Sequence, residues 1–137
     1  HEREHGLEVH LPFLQALLDD FSVVPLVVGD ASPEEVGSLL ESVWGGPETL
    51  IAISSDLSHF MDYDSAVRRD TATSEAIENL RYEEVHEGDA CGRNPINGLL
   101  WLARREGMEG RILDLRNSGD AGAPKDSVVG YGAYVFN

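Results

Sequence analysis

The chain has 137 residues, 42% of them hydrophobic, and carries 25 acidic against 10 basic side chains for a formal charge of −15. Such a field repels phosphate backbones and anionic lipid, which argues against nucleic acids and membrane surfaces as partners. No apolar run approaches the roughly 18 residues that cross a bilayer, so one soluble, cytoplasmic domain is expected. Of the basic residues only Lys125 is lysine. That bias fits the acidic, Lys-poor surface of a halophile, and equally the product of a GC-rich genome. A lone cysteine, Cys91, excludes an internal disulfide and fits a reducing cytoplasm. The chain opens at His1 in mid-pattern, without initiator Met or signal peptide, as a piece of a longer polypeptide would.

From His1 to Phe21, Leu7, Leu11, Leu14, Leu17, Leu18 and Phe21 recur by threes and fours, the spacing of an amphipathic helix. Pro12 fits only in its first turn, which places the start near Val9 to Leu11. The preceding loop crowds Glu4, His5, Glu8 and His10 together. His5 and His10 are candidate ligands or supports for ligands, while Glu8 reads equally as an exposed acid at a helix start. Ser22 to Val28 is a β-branched run expected as a buried strand, with Pro25 marking an edge or bulge. Ser32 then caps a helix that begins at Pro33, carries Glu34 and Glu35 in its opening turn, and runs to Trp44 before Gly45-Gly46-Pro47.

Leu50 to Ile53 predicts a second buried strand, running into the polar turn Ser54-Ser55-Asp56-Leu57-Ser58-His59. The carboxyl end of a strand is where open α/β sheets place their chemistry. A carboxylate three residues before an imidazole is a plausible proton shuttle, because Asp56 orients His59 and stabilises its charged form. Asp, Ser and His also make ordinary capping turns. Phe60 to Tyr63 reads as a loop, and a polar helix follows from Tyr63 or Asp64 to Leu80, its charged face expected to be plain solvated surface.

After the acidic segment Glu83 to Asp89, Gly92 and Pro95 announce a helix through Ile96, Leu99, Leu100, Leu102 and Ala103. Cys91 thus sits just before a helix amino terminus beside Arg93, two influences that favour a thiolate. A thiolate is a nucleophile or a metal ligand; the competing reading is a buried, inert cysteine. Arg111 to Arg116 alternates as a strand with one wet face, 117–126 is a turn-rich loop, and Val128 to Phe136 is a closing strand. Neither a Walker loop nor a nucleotide-binding GxGxxG is present. The alternation of strand and helix predicts an α/β fold with a mixed, largely parallel sheet.

Five stretches, in this order, resemble the Memo-like family, whose prokaryotic members are the B proteins of AmmeMemoRadiSam systems. They are Glu4-His5-Gly6-Leu7-Glu8-Val9-His10-Leu11-Pro12, Ser54-Ser55-Asp56-Leu57-Ser58-His59-Phe60, Ala90-Cys91-Gly92-Arg93-Asn94-Pro95-Ile96, Ser118-Gly119-Asp120 and Val129-Gly130-Tyr131. The resemblance implies a three-layer α/β/α sandwich related to the LigB-type, non-haem iron extradiol dioxygenases, and it implies that residues 1–137 are the carboxyl-terminal half of a single Memo-like domain. It further implies His59 as acid/base with Asp56 beside it, Cys91 at the position of the carboxylate metal ligand, and His5 lining the site. The two metal-binding histidines of the family would lie upstream of His1. We add Glu8 and Arg93 to the expected pocket lining.

The leading expectation is therefore a metal-binding protein on a dioxygenase scaffold, a redox enzyme if it turns over. Iron, copper or zinc would suit a site containing thiolate. A second expectation is a vestigial pocket that binds a peptide or small molecule, as in an adaptor. A third is a hydrolase with Cys91 as nucleophile and His59 as base, which requires hydrogen-bond reach between them. Association with AMMECR-type and radical SAM proteins is implied by the family alone.

Overall fold

Each helix of the computed structural model, which describes residues 6–137, starts where local chemistry tells it to. The first, α1, is Leu11–Leu17, with Pro12 in its opening turn. It stops short of Phe21 because Leu18 turns to extended backbone, φ −119°. Helix α2, Pro33–Val43, begins with a reciprocal capping box: the Glu35 amide donates to the Ser32 hydroxyl, and the Ser32 amide donates to the Glu35 carboxylate. Asp62 caps α3, Tyr63–Glu78, by accepting the Ser65 amide at 3.0 Å. After a short 3-10 turn at Tyr82–Glu84, α4 runs Arg93–Glu106 and ends at Gly107, whose φ of 70° is the left-handed stop that glycine supplies freely.

Three strands complete the fold. They are β1, His59–Met61, β2, Gly110–Asn117, and β3, Val128–Phe136. Their order is β1-β3-β2 and both pairings are antiparallel. The expected ranges of β2 and β3 hold. β1 falls where a loop was expected, since it is specified by its partner: His59 pairs with Val129, and a bulge at Phe60, φ 59°, shifts the register before Met61.

The core forms two clusters, with α4 between them. Leu100 and Ala103 face Leu57, Ala76, Ile77, Leu80, Val85 and Ala90. Leu102 faces Val36 and Leu40, joined by Trp44, Ile51 and Trp101. Helices α2 and α4 cross at two glycines; a Cβ on Gly98 would strike Val36, and one on Gly37 would strike Trp101. The α/β class is therefore as expected. The parallel strands are not: 22–28 and 50–53 form neither helix nor strand, and the sheet among the described residues is wholly antiparallel. A β-branched run favours extended dihedrals, but a strand exists only through a neighbour's hydrogen bonds. Val23, Val24, Leu26 and Val27 are accordingly exposed. The charged face of α3 also departs from expectation, because Asp70 is buried within the fold.

Candidate metal centre

The Asp56–His59 turn is suspended between β3 and α3. Leu57 donates its amide to the Gly130 carbonyl at 2.9 Å, and Gly130 returns its own amide to the Ser58 carbonyl at 2.8 Å. From beneath, the buried Asp70 carboxylate accepts the Ser58 amide at 3.0 Å. Any side chain at Gly130 would collide with that carboxylate, so glycine is required by the close approach. The turn is gripped on both sides, and Asp56 and His59 project from it.

Beyond β1, the chain is tied down again. Tyr63 donates its amide to the Lys125 carbonyl and its hydroxyl to Asp120, at 2.9 and 2.7 Å. Asp120 is held below the usual carboxylate range, first by that hydroxyl and then by the Asn117 amide. The Tyr63 phenol is raised by the same bond and by the negative charge of Asp120. This anchors the 117–126 loop against the start of α3.

Cys91 arrives from a different part of the chain. Its amide donates to the Asp56 carbonyl at 3.2 Å, and the Asp56 amide donates to Cys91 Sγ at 3.2 Å. The approach is possible because Gly92 has no side chain; a Cβ there would stand 2.7 Å from Ser55 Cβ. Cys91 is exposed, which removes the reading of a buried, inert cysteine. The result is a cluster: one donor atom each from Asp56, His59 and Cys91, all within 4.8 Å of one another. His59 Nε2 and Asp56 Oδ2 are 3.5 Å apart, their side chains 33% and 48% exposed.

A tetrahedral ion with bonds of the usual length would separate such donors by about 3.3–3.8 Å. The His59–Asp56 spacing already lies there, and the remaining separations, none above 4.8 Å, exceed it by no more than about 1 Å. Sulfur, imidazole and carboxylate together suit a borderline transition metal. An amide donor to the sulfur is the kind of outer contact that metal thiolates use. The residues present thus fit a metal ion. The nucleophile–base pairing finds less support, because the recorded hydrogen bonds of Cys91 Sγ go to the Asp56 amide and Ser55 rather than to His59.

Of the other residues expected at the site, Glu8 and Arg93 are described. Glu8 is exposed in the turn before α1. Arg93 donates through Nε and Nη2 to the side-chain oxygen of Asn94, at 3.1 and 2.9 Å. His5 lies outside the described residues. Two neighbours went unnoticed in the sequence. Ser54 Oγ meets His10 Nε2 at 2.9 Å, bringing the entry to α1 against the same turn, and Ser55 contacts the Cys91 sulfur. The paired serines were visible, but nothing in their spacing tells which distant segment they face.

Residues 1–135 match the family model described as Memo-like protein. A MEMO1 family protein of Saccharolobus islandicus is 38% identical over 149 aligned residues, which cover 99% of this chain and 52% of that protein. The MEMO1 family protein of Saccharolobus solfataricus is 37% identical with the same coverage, and that of Sulfolobus acidocaldarius 36% identical over 96% of this chain and 50% of its own length. The chain spans about half the length of these curated relatives.

Proposed function

The chain belongs to the Memo-like protein family, and from that premise we propose that it contributes Cys91, His59 and Asp56 to a transition-metal centre on a dioxygenase-type scaffold, serving a redox enzyme. One observation carries this reading: three different donor types from two separated segments converge to within 4.8 Å at an accessible surface. Cys91 is the anchoring ligand, since it is exposed and bound to Asp56 twice, its amide donating to the Asp56 carbonyl and its sulfur accepting the Asp56 amide. The metal, whether iron, copper or zinc, would supply Lewis-acid or electron-transfer chemistry.

Two duties are open to His59, whose Nε2 stands 3.5 Å from Asp56 Oδ2. As a third ligand, it completes a site made wholly by this chain. Alternatively, Asp56 orients His59 as a proton donor and acceptor beside a metal held by Cys91 and groups from outside the chain. Elemental analysis of the full-length protein, purified without chelator, separates these. Stoichiometric metal is expected, lost in Cys91→Ser. Loss in His59→Ala as well identifies a ligand, whereas retained metal with abolished turnover identifies the acid/base. Protein without metal, or a Cys91→Ser variant with undiminished content, refutes the proposal.

A further inference from the structure

We propose that Ser55 is the positioning residue of this centre, its hydroxyl setting where the Cys91 sulfur meets His59 and Asp56; the inference rests on the metal reading above. Ser55 Oγ has three neighbours. It donates to the Asp56 carbonyl at 2.7 Å, accepts the Gly92 amide at 2.8 Å and lies 3.5 Å from Cys91 Sγ. Helix α4 has no side-chain cap of its own at Gly92, so a residue 37 positions earlier satisfies one of the open amides at its amino end.

A hydroxyl has one proton and two lone pairs. One lone pair is committed to the Gly92 amide, which fixes the oxygen in place. The proton has two claimants, the Asp56 carbonyl and the sulfur. The Asp56 carbonyl also receives the Cys91 amide, so it keeps a partner if the hydroxyl turns away. A metal-bound sulfur only accepts hydrogen bonds, and the rotated hydroxyl would then join the Asp56 amide as its second donor. Ser55 therefore acts through the sulfur: it holds the 91–92 turn against the 55–56 turn and tunes the charge that Cys91 offers to a metal.

Cobalt(II) titration followed by absorption tests this, because a sulfur-to-cobalt charge-transfer band reports the bond directly. The wild type is expected to show the band and Cys91→Ser to lack it. Ser55→Ala should bind cobalt about 10–100-fold more weakly, the usual loss for an outer contact, with the band displaced in energy at saturation. A merely structural role would weaken binding without moving the band. Ser55→Thr keeps the hydroxyl and should keep the wild-type band energy. An Ala variant with wild-type affinity and band, or a Thr variant whose band is displaced as far as that of the Ala variant, overturns the role of Ser55 alone. A wild type without the band removes the metal reading and this inference together.

Discussion

Single atoms decide whether the site can form. Gly130 has room for a hydrogen and nothing larger, since the Asp70 carboxylate fills the space that a Cβ would need. Gly130→Ala is expected to cost about 1–3 kcal/mol, the usual range for overpacking, seen as a lower denaturant midpoint at unchanged slope. A midpoint equal to wild type would mean that the grip on the Asp56–His59 turn is loose. Tyr134 offers a second check. Its hydroxyl meets Ser74 Oγ at 2.6 Å, and burial pushes its phenol above the ordinary value of 10.0. The folded chain therefore favours the neutral form, so this contribution is intact below pH 10 and is lost as pH rises through the folded value. Spectrophotometric titration should show a late-ionising group of tyrosines that includes Tyr63 and Tyr134, and Tyr134→Phe should remove one of them.

Elements were legible in proportion to how locally they are specified. Ser32-Pro33-Glu34-Glu35 announces α2 because its capping box closes within four residues, and Gly92 with Pro95 announces α4 for a similar reason. The runs at 22–28 and 50–53 declare extended backbone but not a partner, and pairing is a property of two segments. β1 was missed for the converse reason: three residues carry no periodicity, and β3 imposes them. The site divides in the same way. Asp56 and His59 are three residues apart and could be read together, while the joining of Cys91 depends on Gly92 lying against Ser55. At this scale Ser32→Ala should cost about 1 kcal/mol in thermal unfolding. Its partner Glu35 is held below the usual 4.5, chiefly by the Ser32 amide. That stabilisation is present above pH 4.5 and lost as pH falls through the folded value, so wild type and Glu35→Gln should differ at neutral pH and converge in acid. Persistence of the difference in strong acid would contradict the capping box.

Over the whole molecule, charge and apolar exposure act together. The formal charge of −15 opposes compaction, and Phe13, Leu17, Val24 and Leu50 are exposed on the first part of the chain. No helix among the described residues is long and apolar enough to cross a membrane. Salt screens the self-repulsion, so the melting temperature should rise from dilute buffer to molar potassium chloride; a flat or falling trend would show that the acidic surface is not what limits stability. The chain matches about half of each curated relative, and its three donors occupy one accessible face. The central claim is that a metal ion is held there through sulfur. X-ray absorption of the metal in the full-length protein tests it most directly: the account predicts one sulfur at about 2.3 Å with lighter nitrogen and oxygen neighbours, lost in Cys91→Ser. A shell of nitrogen and oxygen alone, unchanged by that substitution, would contradict it.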